Sequence, residues 1–210
     1  MRNSSLGLLP EYLSPGCKEV EVLLAVKRIC IFPCGGMKKV EATVARIASY
    51  IVNEELLPGK TMLMCVPAFL RGVEEDILMV ENNPTVVIDC HGESCGSGLM
   101  ALIGIPPAAR IYIPDVVSQT GLTTGRNRQV LDAVGEKLAQ EVAKRVSKVA
   151  QWMLDNPNYN YQTRKAKLLN QRLCEFSDQA IESFDYIQVE PAIYRPKFMP
   201  PLWDGISGIS

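Results

Sequence analysis

An alternation of short apolar runs and helical stretches is the feature that most constrains how this chain folds. The apolar runs end in turns and cover residues 28–33, 61–66, 85–89 and 110–113. Apolar side chains recur at helical spacing within 38–57, 69–80 and 99–103. Strands that alternate with helices are typical of an α/β protein with a parallel sheet. The pattern therefore predicts a small three-layer sandwich with a four-stranded, mainly parallel sheet and the strand order 2-1-3-4.

The other segments predict three further parts around this α/β unit, which spans residues 27–120. Residues 1–26, interrupted by proline and glycine, are interpreted as an N-terminal arm. Residues 121–184 hold two helical patterns, 127–154 and 163–184, separated by an Asn-Pro-Asn break. Two long helices joined by a short loop indicate a helical hairpin. Residues 185–210 combine prolines with aromatic side chains and are interpreted as an extended tail.

Charge and hydropathy exclude several classes of protein. The 210 residues include 22 basic and 23 acidic side chains, so the formal net charge is −1. General nucleic-acid binding needs an excess of positive charge and is not expected here. No apolar run approaches the roughly 18 residues of a membrane-spanning helix. The first residues also lack the pattern of a secretory signal, so we expect a cytoplasmic protein without membrane association.

The positions of four cysteines indicate a candidate functional site. The chain has seven cysteines and a single histidine, His91, and an odd count outside a secreted protein argues against a disulfide framework. Four cysteines lie at or just beyond the ends of the first three predicted strands: Cys34, Cys65, Cys90 and Cys95. The carboxyl ends of parallel strands share one edge of the sheet, where ligands bind. The predicted strand order would bring these four thiols together.

Four neighbouring thiolates suit a tetrahedral Zn²⁺ site, and they equally suit an iron–sulfur cluster. Within the same loop, His91 and Glu93 are candidate substitute ligands, and Asp89 is a candidate to orient a ligand. The other three cysteines carry no such pattern. Cys30 and Cys174 are interpreted as small apolar fillers, and Cys17 lies in a loop.

The motif order resembles that of the DGC-domain family, which is regarded as zinc-binding through four cysteines. The resemblance covers roughly residues 28–116 and includes Pro33-Cys34-Gly35-Gly36, Val44-Ala45-Arg46, Cys65 after a strand, and Val87-Ile88-Asp89-Cys90 with Cys95. It implies that Cys34, Cys65, Cys90 and Cys95 take the zinc-ligand positions. This chain departs from the family's Asp-Gly-Cys motif, because Cys90 follows Asp89 directly and the loop to Cys95 is longer.

Two hypotheses from other classes stay open beside a zinc-binding structural protein, carrier or sensor. The first is a thiol-dependent enzyme or redox protein that uses Cys34 or Cys90 with His91. The second is a binding scaffold that forms a homodimer through the C-terminal helices and tail. The sequence does not choose between enzyme and non-enzyme, and it names no small-molecule ligand.

Overall fold

The structure is a computed structural model that describes residues 28–102, 104–156 and 186–196. Several predictions lie outside these residues: the N-terminal arm, the second helix of the predicted hairpin, the end of the tail, Cys17 and Cys174. The homodimer contact was predicted largely from those segments and stays a prediction.

The described sheet has six strands of mixed orientation, which corrects the prediction of four mainly parallel strands. They are β1 (Ile29–Pro33), β2 (Thr61–Leu63), β3 (Thr85–Asp89), β4 (Ala109–Tyr112), β5 (Tyr186–Glu190) and β6 (Ile193–Pro196). The spatial order is β2-β1-β3-β4-β6-β5. The first four strands are parallel in the predicted order 2-1-3-4, whereas β6 and β5 are antiparallel to their neighbours.

The two extra strands form a hairpin in the segment predicted to be an extended tail. Strand β6 pairs with β4, placing Tyr194 opposite Arg110 and Ile193 opposite Ile111. The amide of Tyr112 donates to the carbonyl oxygen of Ala192 at 3.2 Å. Without this hairpin, β4 would present a row of unpaired backbone groups at the sheet edge, so pairing satisfies them. The sequence pattern did not predict this hairpin, because its strands are only partly buried and mix polar with apolar residues.

Six helices lie in the described residues. They are α1 (Val40–Tyr50), which continues as a π-helical segment (Ile51–Leu56), α2 (Val66–Arg71), α3 (Glu74–Asn82), α4 (Cys95–Leu102), α5 (Ile113–Thr120) and α6 (Ala133–Asp155). The helix expected over 69–80 is divided in two, because Gly72 takes a left-handed conformation with φ 74°. Helix α6 begins six residues later than predicted, at the point where the Asp132 side chain accepts from the Gly135 amide at 2.9 Å.

The helices cover both faces of the sheet, as a three-layer arrangement requires. One core joins α1 and α6 to the side chains of Ile31 and Ile88, and the other packs Phe69 and Met100 against Phe32. Cys30 belongs to the second core and is fully buried, in agreement with its interpretation as a filler. None of the helices within the described ranges has the length and apolar character needed to cross a membrane.

Candidate functional site

All four predicted cysteines lie at the carboxyl edge of the parallel strands. Cys34 follows β1, Cys90 follows β3, and Cys95 is the first residue of α4. Cys65 directly precedes α2, two residues beyond the end of β2. Because β1 lies between β2 and β3, the topology places all four residues along one edge of the sheet, and the meeting of all four thiols stays a prediction.

Two of the thiols are in direct contact. The amide of Cys34 donates to the carbonyl oxygen of Ile88 at 3.0 Å, which fixes the end of β1 beside the end of β3. The Cys90 thiol then donates a hydrogen bond to the Cys34 sulfur across 3.0 Å. Both side chains are buried, with exposed fractions of 1% for Cys34 and 6% for Cys90. The Gly36 amide also donates to the Cys34 sulfur, at 3.5 Å.

This contact separates the ionisation of the two sulfurs. The hydrogen bond from Cys90 stabilises the Cys34 thiolate and lowers the pKa of Cys34 to about 6. The same bond, together with burial, raises the pKa of Cys90 above its ordinary value. At neutral pH the pair therefore holds one shared proton and one negative charge, the protonation state in which a sulfur acts as ligand or nucleophile.

We expect this charge to appear as a thiolate step with a midpoint near pH 6 in the metal-free, reduced protein. Ultraviolet thiolate absorbance should rise as the pH rises through that value. Replacing Cys90 with alanine removes the donor, so the midpoint should move up toward the ordinary thiol value of about 8.5. The variant Cys30→Ala is the control, because burial raises the pKa of Cys30 to about 12. A low-pH step that persists in Cys34→Ala would contradict the assignment.

The other two cysteines are more accessible. Cys95 and Cys65 are both exposed, and the backbone amide of Cys65 donates to Asp76 at 3.2 Å. Desolvation and the charge of Cys34 raise the pKa of Cys95, and the charge of Glu93 raises it by a smaller amount. Within the described ranges, no group of three or more cysteine, histidine or carboxylate side chains converges in an arrangement that could hold a metal ion.

His91 occupies a tight turn between Cys90 and Cys95. Its carbonyl oxygen accepts from the Ser94 amide at 2.9 Å, and Ser94 adopts a positive φ of 47°. The ring nitrogen Nδ1 of His91 is buried, and no hydrogen-bond partner for it lies in the described part of the chain. A buried nitrogen without a partner is costly, and a metal ion or another ligand would satisfy it.

Asp89 is fully buried and surrounded by donors. Its Oδ1 atom accepts from the amides of Gly96 at 3.0 Å and Ser97 at 3.3 Å, at the beginning of α4. Its Oδ2 atom accepts from the Ser97 hydroxyl and from Arg110 Nε at 2.7 Å. These four donors engage both oxygens, so the carboxylate holds the two ends of the loop that carries Cys90 and Cys95.

Sequence reasoning missed Arg110 and the tyrosines around it. The Arg110 guanidinium lies over the rings of Tyr112, Tyr186 and Tyr194, at 4.5, 5.4 and 5.5 Å from the ring centroids. The Tyr194 hydroxyl donates a hydrogen bond to Asp115. One feature of the sequence could have indicated this role. Arg110 is a charged residue inside an otherwise apolar strand, and a charge that is buried there needs partners.

Fold and site together define an α/β protein with a cluster of cysteines at the carboxyl edge of its parallel strands. A family model described as the DGC domain matches residues 30–149, more than half of the chain. The chain belongs to the DGC-domain family. A search of curated proteins and a search of solved structures each found no match.

Proposed function

We propose that this protein binds one Zn²⁺ through the thiols of Cys34, Cys65, Cys90 and Cys95. The observation that carries the proposal is the 3.0 Å contact between the buried sulfurs of Cys34 and Cys90. Two sulfurs that share a tetrahedral zinc, each at about 2.3 Å, stand about 3.8 Å apart. The two sulfurs would therefore move apart by less than 1 Å to share the metal, and binding would release the proton that the Cys90 thiol holds.

The donor set fits zinc chemically. One sulfur of the buried pair carries a negative charge at neutral pH, so a thiolate ligand is available without alkaline conditions. Cys95 begins the helix that follows the same loop, and its thiol lies close enough to Cys34 for the charge of Cys34 to raise the pKa of Cys95. The buried Nδ1 atom of His91, which has no hydrogen-bond partner among the described residues, is a candidate substitute for one thiolate. Cys65 is the ligand that needs the largest rearrangement, because it is exposed in front of α2.

The unequal burial of the four cysteines favours a carrier or sensor over a purely structural zinc. Cys34 and Cys90 form a buried half of the site, whereas Cys65 and Cys95 are exposed and offer a route for the metal. A structural site is normally closed on all four sides. We therefore expect zinc to exchange with a chelator while the protein stays folded.

Metal analysis of protein purified without added zinc tests the proposal. We expect about one zinc per chain, and the four single variants to serine, at Cys34, Cys65, Cys90 and Cys95, should lose it. The variant Cys30→Ala is the matched control, since Cys30 is buried in the other core and should leave zinc content unchanged. Wild-type protein that takes up no zinc would overturn the proposal. A visible absorption band would reassign the same ligands to an iron–sulfur cluster.

The same contact favours a second function, a redox-active thiol pair. A disulfide needs an S–S distance of about 2.05 Å, so the sulfurs of Cys34 and Cys90 would approach by about 1 Å. The Cys34 thiolate would attack oxidised glutathione, expelling one glutathione thiolate. Attack by Cys90 on the mixed disulfide would expel the second, leaving a Cys34–Cys90 bond and two reduced glutathiones. His91, which follows Cys90 directly, is the candidate to assist this exchange as an acid or base.

Peptide mapping after oxidation distinguishes the two functions. A Cys34–Cys90 disulfide that forms equally well with and without zinc supports the redox pair, because bound zinc would block both sulfurs. Protection of the pair by one equivalent of zinc supports the metal site. A chain that forms no Cys34–Cys90 disulfide under oxidised glutathione would remove the redox function.

A further inference from the structure

We propose that Arg110 is a positioning residue for the loop that carries Cys90 and Cys95, and that the β5–β6 hairpin belongs to the site through its contacts with Arg110. The hairpin lies outside residues 30–149, which match the family model. Only the zinc-affinity measurement described below rests on the proposed zinc function. The positioning of the loop by Arg110 is a property of the metal-free protein and is tested without zinc.

Arg110 fastens the loop at two points. Its Nε atom forms an ion pair with Asp89 Oδ2 at 2.7 Å, at the end of β3 just before Cys90. Its Nη2 atom donates to the Ser94 hydroxyl, just before Cys95. Within this loop, Ser94 also adopts a positive φ, a conformation that needs support from its surroundings. One guanidinium therefore spans the whole segment that presents both cysteines and His91.

On its other side, Arg110 contacts the hairpin. Tyr194 stands opposite Arg110 in the β4–β6 pairing, and the rings of Tyr186 and Tyr194 lie 5.4 and 5.5 Å from the guanidinium. The ring of Tyr112, at 4.5 Å, completes an aromatic enclosure that leaves the Arg110 side chain 13% exposed. Tyr194 is itself held by its hydrogen bond to Asp115. Positive charge over aromatic faces is favourable and fixes the plane of the guanidinium.

This arrangement requires arginine. Only a planar fork can pair with Asp89, reach the Ser94 hydroxyl and stack on tyrosine faces at the same time. Lysine at position 110 would keep the ion pair with Asp89 but lose the contact with Ser94 and the stacking. The hairpin thus determines the orientation of Arg110, and Arg110 determines the geometry of the cysteine loop.

Thiol alkylation of the metal-free, reduced protein, followed residue by residue by mass spectrometry, tests the proposal. Cys90 is buried at the start of the loop, whereas Cys30 is buried in the opposite core, so the ratio of their alkylation rates separates local loop release from global unfolding. We expect Arg110→Met and Tyr186→Leu to raise this ratio by about tenfold or more, the change that follows when local opening of the loop becomes about 1.4 kcal/mol easier. The ratio for Arg110→Lys should lie between the ratios of these two variants and that of the wild type.

Arg145→Met is the matched control. Arg145 is also a partly buried arginine in an ion pair, with Glu141 at 3.3 Å, but it lies on α6. Its replacement should leave the ratio of Cys90 to Cys30 unchanged. Should Arg110→Met fail to fold, Tyr186→Leu and Arg110→Lys decide the matter.

Zinc affinity, measured by competition with a chelator, gives the second readout. We expect Arg110→Met and Tyr186→Leu to bind zinc about 10–100-fold more weakly than the wild type. Wild-type protein that binds no zinc would refute the proposed function but leave the alkylation test intact. Cys90 and Cys30 rates that rise in parallel, or a ratio no higher than in Arg145→Met, would overturn the positioning role.

Discussion

Replacing Asp89 with alanine is expected to lower the free energy of unfolding by about 3–5 kcal/mol, the cost of leaving one member of a buried ion pair without its partner. Asp89 is fully buried, and the Arg110 side chain is 13% exposed, so solvent screens their interaction only slightly. The substitution also removes the acceptor for the amides of Gly96 and Ser97. Urea denaturation with linear extrapolation measures the change.

A less buried group of ion pairs supplies the control for this prediction. Glu141 pairs with Lys144 and Arg145 on the surface of α6, and its side chain is 31% exposed. Glu141→Ala should cost no more than about 1 kcal/mol, because surface pairs contribute little. Adding Arg110→Met to Asp89→Ala should recover part of the loss, since the unpaired charge disappears. A loss below about 1 kcal/mol for Asp89→Ala would show that the network is not coupled to folding.

The parallel part of the sheet could be predicted from the sequence because burial on both faces leaves a clear pattern. Every residue in strands β1 and β3 is buried, and both strands are apolar apart from Thr85 and Asp89 at the two ends of β3. The parallel arrangement then fixes which loops share an edge, so the positions of Cys34 and Cys90 followed from topology alone. That inference needed no information about side-chain packing.

The hairpin and the contacts within the site could not be predicted in the same way. Strands β5 and β6 carry charged residues and a proline, and their pairing depends on the free edge of β4, which exists only in the folded protein. Whether Cys34 meets Cys90 or Cys65 depends on loop conformation at the scale of an ångström. The positive φ of Ser94 and the contacts of Arg110 belong to this loop, and neither leaves a periodic signal in the sequence.

Replacing Gly96 with alanine is expected to lower the free energy of unfolding by about 1–3 kcal/mol, because the added methyl group overpacks the contact between helix and sheet. A Cβ atom at Gly96 would lie 2.7 Å from Val87 Cγ1 and 3.2 Å from Asp89 Oδ1. Val87 is β-branched and lies within β3, so its side chain cannot rotate away easily. The glycine therefore permits the close approach of α4 to β3 that lets the Gly96 amide reach Asp89.

Gly98 in the same helix provides a matched control with the opposite expected sign. A Cβ atom there would meet nothing within 4 Å, so Gly98→Ala should stabilise the protein by up to about 1 kcal/mol through helix propensity alone. The two substitutions add the same methyl group two residues apart, and denaturant unfolding of both measures the difference directly. If Gly96→Ala were as stable as Gly98→Ala, α4 would not be held against β3 at this distance, and the support for Asp89 would have to come from Arg110 rather than from the helix.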